Sequence, residues 1–424
     1  MKHINKIFLS IALLVMIGTS VQATDGYFSH GIGTHYKAMG GAGMSIARSS
    51  FIVAMNPAGI SFLDTRYDLA LAIFSPNRQY TVTGNPSPGG FGLYPGTNKS
   101  DNNVFFIPSL GANWKLSEKS ALGVAIYGNG GMNTEYPEVG GAGVYGGSAP
   151  TGVSLNQMFI NATYAFSLGE NHAIGASAVL GYQWFKAYGL ESFGMISSDP
   201  TNLTNNDNDN SLGIGFRVGY MGQISILHLG AFYQSKISMG EFGKYAGLFE
   251  GQGSFDIPSS FGFGVGVDIG EKLTLLLDYK RIMYSGVPSI SNPYVSPFGP
   301  DMMPNPNFIP LGMDGAMGFG WRDMNVVKIG AEIGLSESFI LRAGYSYGKQ
   351  PIPESEMLFN IVAPAVTENH ITAGFTKIFG SDNELNFSFM YAPTGSVEGM
   401  NAFDPAQMIK LEMSQLEFEI GFSF

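Results

Sequence analysis

The sequence predicts an all-β chain that closes as a transmembrane antiparallel β-barrel of about fourteen strands, plugged by a small N-terminal segment. Three observations predict it. Residues 416–424 alternate large apolar with polar or small side chains and end on an aromatic. Leu416, Phe418, Ile420, Phe422 and Phe424 share one strand face, and Glu417, Glu419, Gly421 and Ser423 the other. A soluble sandwich also uses alternation, but rarely puts a bulky apolar residue at every outward position of its terminal strand. Beyond the N-terminus no stretch has eighteen consecutive apolar residues, so a membrane crossing must use strands, which the hydrocarbon interior tolerates only in a closed barrel. The composition, with 58 Gly, 32 Phe and 20 Tyr beside 13% charged residues, suits many aromatic-rich strands joined by turns.

Residues 1–23 have the layout of a secretory signal peptide. Lys2 and Lys6 precede an apolar run over 7–17, and Val21 and Ala23 stand at the two positions that cleavage reads. The run is shorter than the ~20 apolar residues of a spanning helix, so the mature chain is expected to begin at Thr24. Loss of the two lysines takes the formal charge from −11 to −13, a balance that argues against nucleic acid as a partner. The absence of Cys excludes disulfides, thiolate metal sites and cysteine nucleophiles.

Residues 24–63 do not alternate. They carry Gly31, Gly33, Gly40, Gly41 and Gly43, then Asn56, Pro57, Ala58 and Gly59, in a small-residue background. Closely spaced glycines permit positive φ and close backbone approach, and Asn-Pro initiates turns. Such a segment can fold compactly inside a narrow lumen. None of the glycine groups has the strand-then-helix context of a nucleotide fingerprint.

Residues 64–424 form the barrel, with fourteen strand candidates from about Arg66 onward, joined by alternately short and long connections. In 261–269, Phe261, Phe263, Val265, Val267 and Ile269 face one way while Gly262, Gly264, Gly266 and Asp268 face the other. Lipid outside and a crowded lumen inside explain both sets. Tight polar turns are expected at 117–119, 169–171, 336–337 and 380–383. Long connections fall at 83–103, 131–152, 189–210, 238–254, 285–320, 349–366 and 396–411, and loops of such length are usually functional. Tyr182, Trp184, Tyr279, Tyr284, Trp321, Tyr345 and Tyr391 lie near strand ends, where they would form interfacial girdles or pack loops.

Arg322, Lys328, Glu332, Arg342, Asp278, Glu417 and Glu419 fall on polar faces. They would pair as a lumen network, or one or two of the cations would meet a ligand carboxylate. His30 and His35 lack the spacing that puts two ligands on one helical face, so no metal is expected. No His has a Ser and an acid nearby in a recognisable motif, so neither catalysis nor a cofactor is expected.

Several motifs together carry a resemblance. Residues 36–43 lead to Asn56-Pro57-Ala58-Gly59, and a barrel follows that ends in Phe424. Ile107-Pro108-Ser109, residues 127–136, Trp321-Arg322-Asp323 and residues 343–347 add to the match. The chain resembles the FadL-type family of outer-membrane transporters for long-chain fatty acids and aromatic hydrocarbons. The resemblance implies a bacterial outer-membrane location and a fourteen-stranded barrel plugged by an N-terminal hatch, residues 24–63. It also implies uptake of a hydrophobic small molecule, captured between extracellular loops, held near the hatch and released through an inward kink in the third strand. A strand ending in Phe resembles the ending that the barrel assembly machinery reads. Outer-membrane lipid and lipopolysaccharide are the other expected partners, and a monomer is expected. A general diffusion porin or an adhesin-like barrel is the alternative.

The third strand candidate meets Gly128, Asn129, Gly130 and Gly131, where a ladder would bulge or a loop begin. Loop 189–210 holds Phe193 and Met195. Loop 238–254 holds Phe242, Leu248 and Phe249 at three- and four-residue steps, as in a short amphipathic helix. These residues would form a greasy landing surface or pack the loops together. The match at Trp321-Arg322-Asp323 makes Arg322 the expected carboxylate partner, with Lys186 and Arg342 as further candidates. For a neutral hydrocarbon no cation is needed, and Tyr27 and Phe28 would line an apolar pocket.

Overall fold

The computed structural model describes residues 25–88, 91–299, 303–380 and 383–424. The expected signal peptide, Thr24 and the turn residues 381–382 lie outside them. Fourteen long strands form one antiparallel sheet. They are β1 (Arg66–Thr83), β2 (Phe105–Ser117), β3 (Ser120–Tyr136), β4 (Thr151–Ser167), β5 (His172–Tyr188), β6 (Asp209–Ile224) and β7 (Leu227–Gln234). The remainder are β8 (Ser260–Ile269), β9 (Leu273–Ile282), β10 (Met324–Ser336), β11 (Phe339–Gly348), β12 (Asn369–Phe379), β13 (Asn383–Asn401) and β14 (Asp404–Ser423). Short strands Gly96–Lys99 and Ser238–Met239 attach at the rim.

The sheet closes where β14 pairs with β1, from Asp68↔Ser423 to Thr83↔Met408. Closure leaves no free edge, as hydrocarbon requires. At the seam Tyr67 and Phe424 exchange two backbone hydrogen bonds of 2.8 and 3.0 Å, and their rings stack at 5.6 Å. The outward face carries Leu71, Ile73, Leu122, Phe263, Ile329 and Phe418, all exposed, as alternation predicts. Asp278, Lys328, Glu332, Arg342, Glu417 and Glu419 are buried on the inward face.

The N-terminal segment 25–63 packs against inward side chains of strands around the ring, and the wall glycines are its seats. Gly175 on β5 stands opposite Gly219 on β6. A Cβ at Gly175 would lie 2.5 Å from the Pro57 carbonyl carbon, and one at Gly219 2.2 Å from Asn56 Oδ1. Asn56 Nδ2 donates to the Met44 and Tyr220 carbonyls, both at 2.8 Å, while its Oδ1 accepts from Ala58 N–H at 3.2 Å. That set of bonds needs an amide at this place and holds the turn to the wall. The crowding expected beside Gly264 comes from Asp278 Oδ1 and Met44 Cγ, which would lie 2.3 and 2.4 Å from a Cβ there.

The inward charges bind this segment as well as one another. Lys37 pairs with Glu417 at 2.9 Å and Glu419 at 2.6 Å. Asp278 accepts the Gly43 and Met44 N–H groups at 2.7 and 3.0 Å. Glu332 bridges Arg48 at 2.8 Å and Arg342 at 2.7 Å. Burial alone would lower the Lys37 ammonium, but its two carboxylates hold it above the ordinary lysine value.

Three expectations about the connections need correction. Residues 396–411 are not a loop: β13 and β14 stay paired to Asn401↔Asp404, because Val397, Ile409 and Leu411 continue the buried face. Segment 131–152 is strand as far as Tyr136. Region 238–254 is no continuous amphipathic helix, only the turns Gly243–Tyr245 and Glu250–Gly253, with Gly251 and Gln252 at φ 63° and 58°. Tyr284 and Trp321 are buried inside the barrel mouth, not in a lipid girdle.

Candidate functional site

Two internal cavities and one break in the wall lie close to the N-terminal segment. The first cavity sits among the long loops and is almost wholly apolar, lined by Phe185, Phe193, Leu248, Phe249, Phe319 and Phe359 with Met317 beside them. Its free volume is about 50 Å³, so a ligand enters only as these side chains move. Met and Leu can do so at little cost.

The second cavity, also about 50 Å³, lies beside Phe28 and is lined by Arg217, Lys280 and Lys328. Lys328 pairs with Asp25 at 3.0 Å and also donates to the His30 carbonyl, while Lys280 is 3.8 Å from Asp25 and 5.1 Å above the Phe28 ring. Arg217 donates to the Val53 carbonyl at 2.8 Å and to the Gln234 side chain. Its guanidinium lies over Phe232 at 5.9 Å. Among the described residues no carboxylate forms an ion pair with Arg217; Asp25 pairs with both lysines, and Asp278, opposite Lys328 in register, is engaged by the Gly43 and Met44 N–H groups. Arg217 Nε and Gln234 Nε2 are buried donors with no acceptor among the described residues, an arrangement that favours an anion.

A ladder of rings joins the two cavities. Phe249 and Phe255 are 4.8 Å apart, Phe255 and Tyr27 6.4 Å, and Tyr27 and Phe28 4.9 Å.

The break lies between β2 and β3. These strands pair only from Leu110↔Ile126 to Ser117↔Ser120. Past that point β3 has a bulge at Gly128/Gly130 in its ladder with β4. The N-terminal segment then supplies the partners β2 would have provided: Ser29 N–H bonds the Asn129 carbonyl at 2.9 Å, and Gly131 N–H bonds the Tyr27 carbonyl at 3.0 Å. The chain meets again above, where Asp101 N–H bonds the Glu135 carbonyl at 2.8 Å. The extra residue of the bulge is Asn129, flanked by Gly128 and Gly130, and its buried side chain donates to Gln157 Oε1 at 3.1 Å.

Of the expected site residues, Phe193, Leu248 and Phe249 line the loop cavity, and Phe242 packs behind it on Phe185 at 5.4 Å. Phe28 lines the cationic cavity and Tyr27 the ladder. The other candidates lie elsewhere. Arg322 is exposed, off any strand, because its backbone N–H is tied to the Pro351 carbonyl. Lys186 shares the outward parity of Tyr182 and Trp184 and lies 5.7 Å from the Tyr188 ring. Arg342 is inward but consumed by Glu332 and Thr376. Met195 is 95% exposed at a turn tip. Arg217, Lys280 and Phe255 were not expected at the site.

A closed fourteen-strand antiparallel barrel with an apolar outer belt and a polar, occupied interior defines an integral protein of the bacterial outer membrane. The chain belongs to the outer membrane protein transport protein (OMPP1/FadL/TodX) family, whose profile matches residues 27–414. Membership makes it an outer-membrane transporter of hydrophobic compounds. Its fold is similar to that of the Pseudomonas putida toluene transporter TodX, at 19% identity and a TM-score of 0.68 over 93% of this chain and 98% of that one. It is also similar to a Pseudomonas aeruginosa FadL homologue, at 13% identity and a TM-score of 0.68 over 94% and 99%. The Ralstonia pickettii toluene transporter TbuX aligns at 17% identity and a TM-score of 0.63 over 93% and 98%. No curated protein sequence matches the chain.

Proposed function

We propose that this barrel imports long-chain fatty acids or related lipophilic anions. The observation that carries the reading is the cationic cavity beside Phe28, where Asp25 pairs with Lys280 and Lys328 and no carboxylate among the described residues pairs with Arg217. A neutral hydrocarbon needs no such charge, and a guanidinium buried without a paired carboxylate, as Arg217 is, is unfavourable. The apolar tail is captured among the long loops at the Phe193 and Phe249 cavity. It then passes along Phe255 and Tyr27 to Phe28, where the carboxylate meets Arg217 and Lys280.

Release is lateral, through the break between β2 and β3 at Gly128, Asn129, Gly130 and Gly131, into the hydrocarbon region. Residues 24–63 act as the hatch, and Asn56-Pro57-Ala58-Gly59 is its anchor to the wall. The protein works as a monomer, each barrel closing on its own chain. It is set in the membrane by the assembly machinery acting on the strand that ends in Phe424, with lipopolysaccharide around the long-loop end. Nothing in this path forms or breaks a covalent bond.

Calorimetric titration of the purified barrel with oleate and with toluene tests the reading. Arg217→Gln and Lys280→Gln are each expected to weaken oleate about tenfold or more, since a charged hydrogen bond contributes about 1.5–3 kcal/mol, and to leave toluene unchanged. Oleate binding indifferent to both substitutions would sink it.

A further inference from the structure

The outer wall is not uniformly convex. Across β4 to β8 it carries an apolar groove of about 680 Å³, on the face opposite the Asn56-Pro57 turn. Its floor is made of small side chains, Ala176 and Ala231, over the glycine pair Gly175 and Gly219. Its walls are Phe166 and Ile174 at one end and Phe261 and Phe263 at the other. Phe166 and Ile174 lie next to the short turn between β4 and β5, whereas Phe263 is six residues from the short-turn end of β8. The groove therefore slants from the short-turn edge toward mid-wall. It spans four strand spacings, roughly 19 Å. The volume is in the range of a ligand site.

At the edge of the groove stands a polar pair. His172 Nδ1 and the Tyr220 hydroxyl are hydrogen-bonded at 2.8 Å with their rings stacked at 6.1 Å. That contact uses one ring nitrogen of His172 and leaves the other for a headgroup. An apolar slot with a polar end at the interface fits one kind of molecule that surrounds the barrel at this depth. We propose that the groove is a phospholipid site, holding one acyl chain of a lipid from the leaflet on the short-turn side, with its headgroup at His172 and Tyr220. The site is distinct from the transport path, since the wall of β5 and β6 separates it from the lumen.

The test is native mass spectrometry of the full mature barrel in mild detergent, titrated with dipalmitoyl phosphatidylethanolamine. Wild type is expected to keep one lipid after collisional activation has stripped the others. The double variant Ala176→Phe, Ala231→Phe fills the slot with apolar atoms and should retain that lipid about tenfold less, and His172→Ala should also weaken retention. Ala331→Phe, on the outward face of β10, should behave as wild type. Heat-dependent gel mobility verifies that each variant is a folded barrel. Equal retention by wild type and the filled double variant would overturn the proposal. So would a wild-type dimer that Ala231→Phe dissolves, because a second barrel would then be the occupant.

Discussion

Gly175 and Gly219 face each other across β5 and β6, and their missing side chains let Pro57 and Asn56 press against the barrel wall. Neither glycine serves a turn or a positive φ. Each gives way to a second piece of chain, so the wall and the N-terminal segment are shaped for each other. A substitution there tests the docking of the segment separately from the closing of the barrel.

Gly219→Val should leave a closed barrel with a loosened segment. The new side chain would start 2.2 Å from Asn56 Oδ1, and overpacking of this kind costs about 1–3 kcal/mol. Hydrogen exchange at residues 56–60 should rise while the strand amides stay protected. Unchanged protection at 56–60 would contradict the seat.

Lys37→Met should be more damaging than its position in a short helix suggests. It leaves Glu417 and Glu419 buried without their cation, and breaking a buried pair from one side costs about 3–5 kcal/mol. Combining it with Glu417→Gln and Glu419→Gln should recover much of the loss. Urea unfolding in micelles measures both.

Gly130→Val should put a branched side chain into the break in β3, where Gly130 bridges Phe28, and obstruct the opening. Uptake of radiolabelled oleate by whole cells is expected to fall by an order of magnitude or more, equivalent to a barrier increase above about 1.4 kcal/mol, with normal barrel yield. Full uptake would remove lateral release. Liposome swelling separates this path from general diffusion: rapid sugar permeation through the wild-type barrel would argue for a porin.

Stability should fall on mild acidification through His30. Burial, then the neighbouring Lys37, His370 and Lys328, push its imidazole well below the usual range. The folded state therefore keeps it neutral while the unfolded chain protonates near pH 6.5. Stability is complete above that pH and falls by about 1.4 kcal/mol per unit below it. His30→Asn should remove that share of the slope between pH 6.5 and 5 in urea titrations, and leave the share of the buried His35, which is also held low by burial.

The inward orientation of Arg217 and Lys280 was legible, because Phe216 and Val218, and Leu277 and Tyr279, mark the outward positions beside them. What alternation cannot tell is which inward cation remains available. Lys328 and Arg342 look equivalent to Arg217 along the chain, yet Asp25 takes the first and Glu332 the second. Arg322 lies away from the cationic cavity for another reason. A match to a short stretch says nothing about the side chain's direction once the backbone leaves the strand.

By itself the sequence determined the wall: side chains alternate faces with period two, so apolar and polar positions declare lipid and lumen without knowledge of any neighbour. It also marked the glycine break in the third strand and the Asn56-Pro57 turn. Only the tertiary structure decided what those features meet. Which wall glycine seats which turn, which carboxylate removes which cation, and which strand is replaced by Tyr27 and Ser29 are all contacts between residues far apart along the chain. They are set by register and closure, which no local pattern encodes.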